Sequence, residues 1–358
     1  LGRLSEAKSI LLFGARGATR KFVGMTIVGI IANPSAGRDI RRLVAHASVF
    51  DNNEKVNIVR RMLAALDAVG VTRVWIMPDA YDIGRKALDN LRLDMEVRFI
   101  EMSARFDEND SIEAAACMVE AGARILITLG GDGTNRAVAK SCGKTPLTPI
   151  STGTNNAFPV MIEGTLAGLA AGLMAMGRVP LTAATTPTKR IELWRNGALE
   201  EIALIDLVVY RERFLASRAV WNINEVESAL FTRTDPCAIG LSAVGSYLGL
   251  PPLHSGEALY VEMGEGGVEV MAPIAPGIVR AVKVQRYRRV QLGERLAMTT
   301  QTPVVIALDG ERKLILPEGE QVELCVTDAG PVVVDVQRAL TYATQIGAFV
   351  RTLATPAS

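Results

Sequence analysis

The residues best equipped for chemistry in this chain are Gly130-Gly131-Asp132-Gly133-Thr134. They follow the apolar run Arg124 to Leu129 and precede a helical pattern that begins near Asn135. A strand that ends in glycines and turns into a helix makes a phosphate site. Backbone N–H groups can approach an anion unobstructed there, and the helix N-terminus adds partial positive charge. A carboxylate in such a loop would repel a phosphate that the loop merely held. Asp132 makes sense if it holds a metal ion or accepts a proton from an attacking hydroxyl. That combination points to phosphoryl transfer.

Two more loops have the same character. Asn33-Pro34-Ser35-Ala36-Gly37 closes the apolar run Thr26 to Ala32, and Gly153-Thr154-Asn155-Asn156 follows Leu147 to Ser151. In the second half, Asp309-Gly310-Glu311 places two acids together, although Asp-Gly is also the standard two-residue hairpin turn. Other apparent motifs fail. Gly143-Lys144-Thr145 ends like a P-loop, but Val138 stands where the earlier glycine is required. Gly14 to Gly17 lacks a complete dinucleotide fingerprint. His46 and His254 are isolated.

Alternating strands and helices must position these loops. Asp51 with Glu54 reads as a helix start, Val59, Met62, Leu63 and Leu66 share one face, and Gly70 is a stop. Strands follow at Arg73 to Met77 and Met95 to Met102, then a helix capped by Asp110 or Ser111 that runs to Glu120. The small-apolar stretch Thr165 to Gly177 is too short to span a membrane and reads as a buried helix. The alternation predicts a parallel sheet with helices on both faces. Beyond a polar linker at Thr182 to Thr188, short strands recur, beginning with a type I′ hairpin at Asn196-Gly197. The expected fold class is therefore α/β: an N-terminal Rossmann-like parallel-sheet domain, 25–181, and a C-terminal all-β sandwich domain, 182–332. A helix at 333–358 is expected to return to the first domain. Met25 opens a clean strand, so residues 1–24 read as a leader or appended extension.

Composition narrows the function classes. With 49% hydrophobic residues, 358 residues can bury the cores of about two domains. A net charge of +1 and 5% aromatics argue against nucleic acid and anionic membrane surfaces. The expected partners are a nucleotide and a small-molecule substrate, with no membrane insertion, in a homo-oligomer. Four scattered cysteines without a CxxC pair exclude a zinc or disulfide framework and fit a reducing cytoplasm. Two histidines leave little for a Ser-His-Asp mechanism.

The order of the four motifs resembles the superfamily of NAD kinases and diacylglycerol or sphingosine kinases. More narrowly, Gly37 to Arg42 and Ala47 to Lys55 resemble the acetoin catabolism protein X family, which is NAD-kinase-like. The resemblance implies an NAD kinase/diacylglycerol kinase-like fold and an ATP- and Mg²⁺-dependent kinase with its site between the domains. NAD is the expected acceptor, converted to NADP. Asp132 would be the base or a metal-positioning group, Glu311 a second catalytic acid, and Asp309 a metal group with Asp132. Nucleotide would lie on Asn33, Pro34, Gly37, Gly130, Gly131, Gly133, Thr134, Gly153, Thr154, Asn155 and Asn156. Asn224-Glu225 resembles the Asn-Glu pair that contacts the dinucleotide in NAD kinases, and Val244 to Tyr247 partly echoes their Thr-Gly-Ser-Thr-Ala-Tyr segment. Ala157 stands where lipid kinases carry Asp. A lipid or small-polyol kinase and a catalytically silent nucleotide-binding regulator are the alternative readings.

Overall fold

The computed structural model describes residues 25–36, 50–153, 156–211 and 223–350, with the side chains of Arg312 and Lys313 excepted. The leader 1–24 and Gly37, Thr154 and Asn155 lie outside the described residues.

The first half alternates β1 (Ile27–Ala32), α1 (Asn52–Val69), β2 (Arg73–Ile76), α2 (Ile83–Leu88), β3 (Glu96–Phe99), α3 (Glu108–Glu120), β4 (Ile125–Gly130), α4 (Asp132–Ala139), β5 (Leu147–Ser151) and α5 (Gly164–Ala175). Every residue of β1, β4 and β5 is buried, as expected of strands covered on both faces. The strands run parallel in the order β3-β2-β1-β4-β5. One face packs on α1, α2 and α5, and the other on α3 and the Val138 side of α4.

Local chemistry fixes the helix ends. The Asp51 carboxylate caps α1 by accepting from the Asn53 N–H, and Gly70 ends the helix at φ 92°, where a Cβ would be strained. α3 begins earlier than its sequence suggests, because Asp107 caps it and the Asp110 carboxylate instead accepts from the Arg105 and Phe106 N–H groups.

α5 lies against α1 along Gly164, Gly168 and Gly172, one glycine per helical turn. A Cβ at Gly168 would stand 2.8 Å from the Met62 carbonyl oxygen and 2.9 Å from the Ala65 Cβ. Backbone cannot yield there as a side chain can. Gly168→Ala should therefore destabilise the chain by about 1–3 kcal/mol, outweighing the roughly 1 kcal/mol that alanine gains in helix propensity. A lower urea midpoint is the expected result. A raised midpoint would show that the two helices part without cost.

The polar stretch expected to be a linker instead forms α6 (Leu181–Ala184) and β6 (Thr185–Pro187). The second half then contains β7 (Arg190–Arg195), β8 (Ala198–Ala203), β9 (Asp206–Tyr210), a 3₁₀ turn at Ile223–Glu225, β10 (Val226–Phe231), α7 (Leu241–Ser246), β11 (Glu257–Ala275), β12 (Ile278–Gln291), β13 (Arg295–Thr299), β14 (Val304–Leu308), β15 (Glu311–Leu316) and β16 (Gln321–Thr327). β17 (Val332–Val334) pairs parallel to β5 and antiparallel to β6, extending the first sheet. α8 (Val336–Gln345) joins the same core through Ala339 and Ala343.

The antiparallel strands form two sheets, β12-β11-β10-β9-β14-β15 and β13-β16-β7-β8. Leu207, Val209, Leu230 and Ile306 of the first meet Ile191, Leu193, Val322 and Leu324 of the second, which makes the sandwich core. The alternate residues Val208, Tyr210, Ala229 and Phe231 face the other way, toward Ala243 and Val244 of α7. Asn196 and Gly197 both have positive φ, 52° and 76°, as a type I′ hairpin requires. The segments Ala258 to Met263 and Val268 to Met271 belong to one strand, because 264–267 bulge out opposite Val284 and the ladder resumes.

Candidate active site

β1 and β4 are neighbours, yet the chain leaves β1 toward α1 on one face and β4 toward α4 on the other. A crevice opens outside the carboxyl ends of parallel strands where connections diverge in this way. Asn33, the Gly130 to Thr134 loop and the Ser151 to Gly153 turn all stand at this edge. The Asn33 side-chain amide donates to Thr134 Oγ1 at 2.9 Å, and its backbone N–H donates to the Leu129 carbonyl at 3.0 Å. Lys55 is fully buried, and its ammonium donates to the carbonyls of Asn33, Pro34 and Ala36. Asn135 braces the second loop. It accepts from Thr128 Oγ1 at 2.6 Å and donates to the Gly131 carbonyl at 2.8 Å.

The loop glycines are demanded by three polar side chains that press against the backbone. A Cβ on Gly130 would meet Thr134 Oγ1 at 2.5 Å, one on Gly131 would meet Asn156 Oδ1 at 2.8 Å, and one on Gly133 would meet Glu311 Oε1 at 2.7 Å. Asn156 is held in turn by donating to Ser151 Oγ at 2.7 Å. The contact at Gly133 brings Glu311, from the sandwich, onto the first turn of α4.

Asp132 is the first residue of α4. Its carboxylate accepts from the Ala157 N–H at 3.1 Å and the Phe158 N–H at 2.7 Å, which ties α4 to the loop after β5. Arg136, one turn further along α4, is fully buried. It donates to the Leu308 carbonyl at 2.6 Å and to Glu311 Oε2 at 2.9 Å, and it lies 3.6 Å from Asp309 Oδ2. Burial opposes its charge, but Asp309, Glu311 and Glu108 outweigh that and raise its pKa. Glu311 keeps 43% of its side chain exposed, so its carboxylate reaches both the buried arginine and open solvent.

Asp309 departs from its expected role. It sits at φ 50° in a hairpin turn whose next residue, Gly310, is at 77°, and it is buried. Its oxygens accept from the N–H groups of Leu204 (3.0 and 3.1 Å), Ile205 (2.7 Å) and Asp206 (3.3 Å). Burial raises its pKa above the usual carboxylate range, with Arg136 and these amides pulling the other way. A carboxylate so engaged anchors a turn. Among the described residues no group of three or more His, Cys, Asp or Glu side chains is placed to hold a metal ion.

Asn224 and Glu225 are not brought to the crevice. They form the 3₁₀ turn that precedes β10, whereas Phe231, at the far end of β10, pairs with Asp206 beside Asp309. A six-residue strand of about 20 Å lies between. Val244 to Tyr247 belongs to α7 and its cap, with Val244 buried in the sandwich half. As site residues, Lys55, Arg136 and Arg233 escape the sequence motifs. Only Arg136 carried a signal, its one-turn spacing from Asp132 on a short helix.

The architecture, a parallel α/β sheet joined to antiparallel β-sheets, is an NAD-kinase-like fold. The structure of yeast NADH kinase complexed with NADH aligns with a TM-score of 0.53 at 13% identity, over 92% of this chain and 89% of that one. An NAD kinase from Archaeoglobus fulgidus in complex with ATP aligns with a TM-score of 0.37 at 13% identity, over 78% of this chain and 99% of that one. Residues 28–179 match the ATP-NAD kinase N-terminal domain, and residues 189–329 match the acetoin catabolism protein X C-terminal domain. Acetoin catabolism protein X of Cupriavidus necator is 38% identical over 332 residues, 88% of this chain and 92% of that protein. The chain belongs to the acetoin catabolism protein X family. No helix among the described residues is long and apolar enough to cross a membrane.

Proposed function

We propose that this protein is an ATP-dependent phosphotransferase acting on an alcohol group, with the ribose hydroxyl of NAD as acceptor and NADP as product. The observation that carries this reading is Asp132 on the first turn of α4, in a glycine loop at the strand edge between the two halves. The match of residues 28–179 to the ATP-NAD kinase N-terminal domain supports it. So does the likeness in fold to a kinase solved with NADH.

The chain's residues would act as follows. Phosphoryl transfer needs in-line positioning and neutralised charge more than covalent help. The Asn33, Gly130 to Thr134 and Gly153 to Asn156 loops hold the triphosphate. Asp132 takes the proton of the acceptor hydroxyl as its oxygen attacks the γ-phosphorus. The bond from that phosphorus to the β–γ bridging oxygen breaks, and ADP leaves with the electron pair. Asp309 anchors the hairpin that presents Glu311. Asn224 and Glu225 are placed outside this step.

The amides of Ala157 and Phe158 on the Asp132 carboxylate favour a second reading, a nucleotide-binding regulator that transfers nothing. ADP release from ATP separates the two, measured with NAD, glycerol or diacylglycerol as the offered acceptor. ADP formed only with NAD supports the proposal. ADP formed only with glycerol or diacylglycerol moves the acceptor to the polyol or lipid class. ATP binding without ADP formation under any condition overturns catalysis.

A further inference from the structure

Arg233 stands two residues beyond β10, on the sandwich side of the crevice. Thr232 beside it is locked in place, its hydroxyl donating to the Leu204 carbonyl at 2.7 Å and its N–H to the Ile205 carbonyl at 3.0 Å. Those are the residues whose amides clamp Asp309. The guanidinium carbon lies 5.3 Å from the centroid of the Phe158 ring. The backbone N–H of that same Phe158 donates to Asp132. Arg233 therefore reaches across from the antiparallel half to the loop that holds the proposed base.

Its charge is faced by carboxylates, but its donors are unused. A guanidinium offers five donors in a planar fork suited to phosphate, yet Arg233 makes no hydrogen bond to any described residue. Burial lowers its pKa, against the carboxylates of Asp132, Asp309 and Asp235. Of these, Asp309 is already clamped by amides and Arg136, Asp132 accepts from two amides, and Asp235 accepts from the Cys237 N–H. A second cation stands close by. The Lys189 ammonium donates to the carbonyls of His254 and Glu257, and burial and then the Arg233 charge lower its pKa. Two cations held near each other, one with its donor fork unused, make a site for an anion.

We propose that Arg233 is a phosphate-binding residue of the crevice, gripping the polyphosphate of the nucleoside triphosphate opposite the Gly130 to Thr134 loop. The role in turnover rests on the phosphotransferase reading, whereas the binding does not. In the transfer step Arg233 would neutralise charge on the migrating phosphoryl group.

The test is calorimetric titration of the full chain and of Arg233→Gln with inorganic tripolyphosphate, ATP and adenosine. Losing a charged hydrogen-bonding partner should weaken tripolyphosphate and ATP by about tenfold or more, with adenosine binding unchanged. Arg233→Lys, which keeps the charge and loses the fork, should recover part of the loss. Unchanged tripolyphosphate affinity in folded Arg233→Gln overturns the assignment, as does an equal loss for adenosine. A parent chain that binds no tripolyphosphate overturns it too. If the glutamine variant does not fold, the lysine variant decides. Weaker tripolyphosphate binding with adenosine unchanged supports the assignment, and parental affinity overturns it. Tripolyphosphate binding through Arg233 in a chain that transfers no phosphate would sink the kinase reading alone. Turnover undiminished in Arg233→Gln would sink the Arg233 assignment alone.

Discussion

Asp309→Ala should lower the unfolding free energy by about 3–5 kcal/mol, the cost of stripping one partner from a buried ion pair. Three amide N–H groups lose their acceptor, and the fully buried Arg136 loses the buried carboxylate that lies 3.6 Å from it. Arg136 joins α4 of the parallel half to the β14–β15 hairpin of the antiparallel half, so the two halves should loosen together. Asp309→Asn keeps one acceptor oxygen and should lose less. Denaturant unfolding followed by tryptophan fluorescence measures both. An alanine variant with a parental midpoint would show that Asp309 is no anchor, and its expected metal role would return.

Asp132→Asn should cut turnover by about 10²-fold or more, as the loss of a general base does, while ATP binding is kept. The asparagine retains an acceptor oxygen for the Phe158 N–H, whose 2.7 Å bond is the shorter of the two amide contacts. The Ala157 N–H donates to both carboxylate oxygens at 3.1 Å, and an asparagine nitrogen in place of Oδ2 sets a donor against that donor. A modest shift of the loop after β5 is therefore expected, seen as a change in KM and separable from the fall in kcat. Unchanged kcat would remove Asp132 from the chemistry and favour the regulator reading.

The parallel half was largely legible in the sequence, because its signals are local. A run such as Ile125 to Leu129 reads as a strand buried on both faces, Asp51 and Gly70 bracket a helix, and Asn196-Gly197 specifies its own turn. The Gly130 to Thr134 loop could be placed because the buried strand before it fixes where its glycines must lie. Contacts between distant segments left no such trace. Arg136 meets Leu308 from 172 residues away, and no periodicity records that. Asp309-Gly310 has the same signature whether its carboxylate serves a turn or a ligand, and only the Leu204 and Ile205 amides decide. Asn224-Glu225 matched a dinucleotide-binding pair in type, but β10 carries it to the wrong end of its sheet. Arg233 lies in no motif and gains its meaning only when Phe158 is brought beside it.

The most direct test of the central claim is NADP formation by the purified chain supplied with ATP, Mg²⁺ and NAD, read by an NADP-specific coupled reaction beside the Asp132→Asn variant. NADP should accumulate with the parent chain and fall to near background with the variant. ATP left intact by a chain that binds it, with no NADP formed, would contradict phosphoryl transfer to NAD at this crevice.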